Sequence, residues 1–263
     1  MATPFYTSPE QIVRDRSEYA RRGIARGRSV VVVTCAEGIL FVAENPSKSL
    51  HKVSEIYDRI AFAAVGRYNE FENLRRAGIR YADVSGYQYD RRDVSGRGLA
   101  TAFAQTLGTV FIESQKPYEV EVVVAQVGRT EDDDQMYRLT YDGSVADERG
   151  FVAMGGQAEA INTHLREHHH AGTPMTEALS VALSGLAAGS AAATAAAPGA
   201  SGPVNGVNPH ATPTAATLEV ALLDRARPRR TFRRIVDAAL LELVETAGGG
   251  SDASEAPDSA DPQ

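Results

Sequence analysis

The chain has 263 residues, 43% of them hydrophobic and 23% charged, with a formal net charge of -7, which is enough chain to bury the core of one large domain or two small ones. No stretch approaches the ~18 consecutive apolar residues of a membrane span, Met1–Tyr6 lack the basic and apolar regions of a secretory leader, and a single cysteine, Cys35, excludes an internal disulfide and a multi-cysteine zinc site. The acidic balance argues against a dedicated nucleic-acid binder, and the whole points to a soluble protein of a reducing compartment.

In chain order, Ser8-Pro9-Glu10-Gln11 offers an N-cap serine, proline at the first helical position and glutamine three residues after the cap. This predicts a helix from Pro9 to about Arg22, ending near Gly23. Its apolar residues Ile12, Val13, Tyr19 and Ala20 form only a thin stripe, so the helix is expected to pack on a neighbour's surface rather than enter a core. Strands are predicted at Ser29 to Cys35, with its run of valines, and at Gly38 to Ala43, joined by a hairpin turn at Ala36-Glu37-Gly38. A third strand is expected from Arg59 to Val65.

Two helices follow. The first, capped by Asn69 with Glu72, has Phe71, Leu74, Ala77, Tyr81 and Ala82 on its apolar face. The second carries Leu99, Phe103, Leu107, Val110 and Phe111 and ends before Pro117. Strands resume at Tyr118 to Val127, Met136 to Tyr141 and Phe151 to Met154. Gly155-Gly156 then leads into a helix with Ala158, Ile161 and Leu165 inward, and Thr173-Pro174 starts another with Met175, Leu179, Ala182, Leu183 and Leu186. Strands at Leu218 to Leu223 and Thr231 to Val236 and a helix from Ala238 to Glu245 complete the body.

Composition divides the chain into a short leading segment 1–7, a body 8–247 and a tail 248–263. The body is interrupted at about 187–216 by an Ala, Gly, Ser, Thr and Pro stretch with too little apolar surface to repay its ordering, expected as a flexible insertion. The tail carries Asp252, Glu255, Asp258 and Asp261 without a basic residue and is expected to be solvated. No internal repeat is visible. The order of elements suggests two stacked sheets with helices on both outsides, a layered α/β sandwich.

Several segments resemble one family. Arg28 to Val33, Gly38 to Pro46, Lys52 and Ile56-Tyr57-Asp58-Arg59 look like the core of a 20S proteasome subunit. Asn69 to Arg76, Tyr89 to Val94 and Gln105 to Thr109 make the resemblance specific, and within the family it is to the α-type subunit of the actinobacterial kind. It covers about residues 5–184 and 216–246. It implies the four-layer αββα sandwich of N-terminal-nucleophile hydrolases, with two antiparallel sheets between helix layers.

The family's catalytic β subunits use an N-terminal threonine whose free amine is the base for its own hydroxyl. Glu44 and Lys52 look like the acid and lysine of that site, but the nucleophile position falls on about Arg28, which has no hydroxyl. No Gly-Thr cleavage junction precedes Ser29 to Val33. The resemblance therefore implies a chain with no catalytic residue of its own. A self-processing hydrolase beginning near Ser29 is the alternative, and a free-standing adaptor of the same fold is a third reading.

Other features carry less. Ser29 reads as an edge or turn residue and Cys35 as a small buried apolar side chain. His164 and His168 satisfy the i, i+4 spacing of a metal pair but have no third ligand at metal spacing, and His168-His169-His170 reads as a polar helix terminus. Arg225 to Arg234 holds six arginines in ten residues, read as a solvated or subunit-contacting edge rather than a nucleic-acid patch. Gly155-Gly156 lacks the context of a phosphate loop. No cofactor and no metal are expected.

By resemblance, this is a non-catalytic cytoplasmic ring subunit. Its partners would be further copies of itself in a heptameric ring, the β subunits, a AAA-type ATPase, and unfolded or Pup-tagged substrate proteins. Residues Ala2, Thr3, Pro4, Phe5, Tyr6 and Thr7 would form the gate. Lys52 would bind the activator, its family counterpart lining a pocket between subunits that receives the ATPase's C-terminal carboxylate. Without the resemblance, Lys52 would read as a surface lysine paired with Glu55 or Asp58.

Overall fold

The computed structural model describes residues 8–196 and 214–249. The chain opens with helix α1, Pro9–Ala25, capped by the Ser8 side chain accepting from the Gln11 amide at 3.2 Å. It runs three residues beyond the expected end, through Gly23. A Cβ at Gly23 would stand 2.0 Å from the Glu119 carboxylate, so glycine there serves close packing and does not stop the helix. Extending the helix brings Ile24 into the core beside Ala20, while Ile12, Val13 and Tyr19 remain exposed.

Strands β1 (Val30–Cys35) and β2 (Gly38–Glu44) form the expected hairpin, with Cys35 paired to Gly38 across a tight turn. Gly38 has φ +148°, and a Cβ there would lie 1.9 Å from the Leu223 carbonyl oxygen, so no other residue fits without moving the neighbouring strand. Two strands escape the sequence pattern. β3 (Val53–Tyr57) precedes β4 (Ile60–Gly66), and β7 (Val145–Glu148) lies between β6 (Gln135–Leu139) and β8 (Phe151–Met154). Both are edge-side strands of mixed burial, and so lack the continuous apolar run that marks their neighbours.

Helix α2 spans Tyr68–Gln88 and α3 Gly96–Glu113. Asn69 is not the cap of α2: Arg67 occupies that position without a side-chain bond, and Glu72 instead holds Arg75 and Arg76. Ala77 and Tyr81 face solvent, and the buried face is Phe71, Leu74, Gly78 and Ala82. Gly78 allows α3 to approach closely, since a Cβ there would meet the Phe103 ring at 2.5 Å. On α3, Leu99, Phe103, Leu107 and Phe111 are buried as expected, with Val110 half-buried.

After β5 (Val120–Gln126) and the β6 to β8 strands come α4 (Ala158–His168) and α5 (Met175–Ala196). Helix α5 continues about ten residues into the stretch expected as an insertion from 187. Alanine is the strongest helix former, and Gly189 packs so tightly on α4 that a Cβ would meet Ile161 at 2.7 Å. The rest of that stretch, 197–213, lies outside the described residues. Strands β9 (Leu218–Asp224) and β10 (Phe232–Ile235) and helix α6 (Asp237–Gly249) close the fold; α6 passes the expected boundary at 247, and 250–263 lie outside the described residues.

One antiparallel sheet has strand order β10-β9-β2-β1-β8, the other β3-β4-β5-β6-β7. Strand alternation sends Val30, Val32, Ile39, Phe41, Ala61, Ala63, Val65, Val123 and Ala125 between the sheets. Val31, Val33, Leu40 and Val42 face α4, α5 and α6. Ile60, Phe62, Ala64, Val122 and Val124 face α2 and α3. Each central strand is covered on both sides, which is why its sequence is continuously apolar. The result is the four-layer αββα sandwich, with α1 laid against one end of it and contributing Ala20 and Ile24 to the space between the sheets.

Candidate functional site

Three chain segments meet where β1 begins. Arg28 enters β1, Glu44 ends β2 and Lys52 enters β3. The strand pairing brings the first two together: the Glu44 amide donates to the Ser29 carbonyl at 3.1 Å. The Lys52 Nζ donates to the Arg28 carbonyl oxygen at 2.7 Å, and the Lys52 carbonyl accepts from the Ala64 amide at 3.0 Å. Lys52 is therefore tied to both sheets and is not paired with Glu55 or Asp58. Those carboxylates hold Arg230 and Arg91 instead.

Burial governs the charges here. It pushes the Lys52 ammonium down to about 8, with the nearby Glu44 carboxylate resisting that shift and Arg28 adding to it. Burial likewise raises Glu44, opposed by Arg28 and Lys52. The acid and the lysine expected from the sequence are thus brought into one electrostatic group with Arg28.

What the group lacks is a nucleophile. Arg28 carries no hydroxyl, and its nitrogen is a peptide amide continuous through Gly27 with α1. Ser29 is buried and likewise mid-chain. N-terminal-nucleophile chemistry needs a hydroxyl and a free α-amine on the same residue, and neither residue 28 nor residue 29 of the intact chain supplies both.

Glu219, unremarked in the sequence, lies under this site. Its carboxylate is buried on β9 and accepts from the Lys52 amide at 2.9 Å, the Val53 amide at 3.2 Å and Asn45 Nδ2 at 2.7 Å. Arg234 Nη1 donates to the same carboxylate, while its Nη2 donates to the Val53 carbonyl at 2.7 Å. A cavity of about 430 Å³ opens beside it, with Lys48, His51, Arg234, Leu240 and Leu241 in its wall. The only sequence signal was an isolated acid at the mouth of an apolar strand, Leu218-Glu219-Val220.

The remaining candidates separate into structural roles. The arginine run does not form one edge. Arg225 makes a buried bidentate pair with Asp134 at 2.8 and 2.9 Å, Arg234 holds Glu219, Arg230 holds Glu55 and Arg233 holds Asp224. Two of these are interior contacts that close the sandwich, which the sequence reading as a solvated or subunit-contacting edge missed. Cys35 is fully buried, and burial pushes its thiol up to about 12. The His164 and His168 rings stack at 4.1 Å, with His168 Nδ1 donating to the His164 carbonyl and His164 Nε2 beside Ser184 Oγ. Among the described residues no group of three or more His, Cys, Asp or Glu is arranged to hold a metal ion.

Helix α1 is anchored on its own chain: Arg16 donates to the Phe111 and Ile112 carbonyls at the end of α3, and Arg21 to the Tyr141 hydroxyl at 2.9 Å. Lys116, in the α3–β5 connection, holds both Glu70 and Glu119 and lies over the Tyr19 ring. The expected gate residues, Ala2 to Thr7, lie outside the described residues. No helix among the described residues is long and apolar enough to cross a membrane.

A family model described as proteasome subunit matches residues 24–199. A proteasome subunit alpha of Frankia alni is 63% identical over 245 residues, covering 93% of this chain and 97% of that protein. Those of Kineococcus radiotolerans and Acidothermus cellulolyticus are 59% and 60% identical, covering 94% and 93% of this chain and 100% and 98% of their own lengths.

Proposed function

This chain belongs to the proteasome subunit family, as an α-type member, and on that premise we propose that it is the non-catalytic ring subunit guarding the substrate entrance of a cytoplasmic 20S core particle. Copies of the chain would close a heptameric ring, stack on a ring of catalytic β subunits and admit unfolded or Pup-tagged proteins. The observation that carries the non-catalytic reading is at the head of β1. Glu44 and Lys52, which resemble the acid and the lysine of the family's hydrolytic site, stand together, while Arg28, where the resemblance puts the nucleophile, lies in unbroken chain and its carbonyl takes the lysine's hydrogen bond.

In this reading Lys52 has been released from hydrolysis and binds a partner. Its ammonium would receive the C-terminal carboxylate of a AAA-type ATPase at the seam between two α subunits, a charge-assisted hydrogen bond stronger than a neutral one. Several tails docking on one ring would multiply weak contacts. The exposed Ile12, Val13 and Tyr19 on α1 supply apolar surface for the neighbouring subunit, and Ala2 to Thr7 ahead of α1 would form the gate.

Intact-mass measurement with a peptidase assay tests the central claim. The purified chain should keep the residues before Ser29 and hydrolyse no peptide until β subunits are added. A chain processed to Ser29 that cleaves peptides alone would establish the self-processing hydrolase instead.

A further inference from the structure

The segment that carries Lys52 is not held by strand pairing alone. Among the described residues β3 is an edge strand, bonded on one side to β4 and on the other to no strand of its own sheet. Its free side is met by two side chains of the opposite sheet. Glu219 of β9 accepts the Lys52 and Val53 amides, and Arg234 of β10 donates to the Val53 carbonyl. Val53 is thus engaged through both its N–H and its C=O by a carboxylate and a guanidinium that also bond each other.

The same carboxylate fixes the other end of the loop. Asn45 Nδ2 bridges Glu219 and the Leu50 carbonyl, both at 2.7 Å, and Asn45 Oδ1 accepts from the Ser47 amide at 3.1 Å. His51 Nδ1 stands 3.3 Å from the carboxylate. Two oxygens thus take donors from Asn45, Lys52, Val53 and Arg234. Removing them would leave several buried donors unsatisfied and free the loop to move.

We infer that Glu219 is the positioning residue for Lys52: by holding the Lys52 and Val53 amides it sets where the Lys52 ammonium stands against the Arg28 carbonyl. Position, not charge alone, is what Glu219 supplies, and this separates it from a residue that merely balances the lysine electrostatically. The functional arm of the inference rests on the docking role proposed for Lys52. Its chemical arm does not.

The test uses the full-length chain assembled with its β subunit. Glu219→Gln removes the charge at constant shape; Glu219→Asp keeps the charge and shortens the reach. The first readout is the rate at which acetic anhydride acetylates Lys52, followed against pH by peptide mapping, with Lys116, held by Glu70 and Glu119 outside this loop, as the internal reference. Both variants should change Lys52 labelling about tenfold relative to Lys116, because each loosens the hold on the Lys52 and Val53 amides. Both should also weaken binding of the ATPase's C-terminal peptide about tenfold.

A Glu219→Asp complex that labels like the wild type would overturn the positioning role in favour of charge, and unchanged labelling in both variants would overturn it outright. Should Lys52→Ala bind the peptide normally, the docking role falls, while the labelling still decides the role of Glu219. If either Glu219 variant does not assemble, Arg234→Lys is read the same way, because it loosens both Glu219 and Val53.

Discussion

Lys52 is the residue on which the partner-binding reading turns, and its environment makes it sensitive to pH. An ammonium lowered to about 8 loses its charge as pH rises through 8, where a solvated lysine stays charged to 10.5. Carboxylate docking should therefore be complete near pH 7 and fall roughly tenfold for each unit above 8. Affinity of the assembled barrel for the ATPase tail peptide, measured from pH 6.5 to 9.5, checks this; a flat profile would remove Lys52 from the contact. The sign for folding is opposite. Between pH 8 and 10.5 the folded chain holds fewer protons at Lys52 than the unfolded chain, so this group's contribution to stability rises across that window. Lys52→Ala should leave barrel assembly intact, as judged by native mass spectrometry, and abolish stimulation by the ATPase. Retained stimulation would mean that another group receives the tail.

Among the elements, the α2–α3 contact is set by a glycine. Gly78→Ala would gain about 1 kcal/mol of helix propensity, but its Cβ would meet Phe103, which is buried and stacked edge-on against Phe62. Overpacking costs about 1–3 kcal/mol, so the net effect should be destabilising by about 1 kcal/mol in urea unfolding. A more stable variant would show that α2 and α3 can separate freely. At the other end of the sandwich, Arg225 binds Asp134, whose side chain is 2% exposed, and also donates to the Gly128 and Thr130 carbonyls. Arg225→Ala would leave a buried carboxylate without its counter-charge, held only by the Gly128 amide, and should cost about 3 kcal/mol. A loss under 1 kcal/mol in the same measurement would mean that water reaches Asp134 once the guanidinium is gone. These contacts were hidden in the sequence because Arg225 and its solvent-facing neighbours Arg227 and Arg229 look alike until the β9–β10 turn folds back over the β5–β6 connection.

For the molecule as a whole, the predictions concern passage and not chemistry. Deleting Ala2–Thr7 should raise hydrolysis of long peptides by the assembled barrel more than that of tripeptides, because short substrates pass a narrow entrance unaided. Equal changes for both would place the gate elsewhere. The anchoring of α1 makes this test clean. Ser8 caps the helix, and Arg16, Arg21, Ala20 and Ile24 fix it to its own chain, all through contacts among residues that the deletion leaves in place.

The sequence by itself determined the central strands, the helices and their order. Covered strands need unbroken apolar runs such as Val30–Val33, and helices against a sheet need residues at the spacing of Leu99, Phe103 and Leu107. Through its resemblance it also led to the expectation that Glu44 and Lys52 share one site near Arg28, and the three do come together. Tertiary structure alone decided the rest. The edge strands β3 and β7 have no apolar signature, since only the partner strand and the contacts across the sandwich make them strands. Glu219 became part of the Lys52 site only when the two sheets stacked, because its Lys52 and Val53 donors come from the opposite sheet and lie more than 160 positions away. A buried carboxylate is defined by what surrounds it, and a linear sequence does not contain those surroundings.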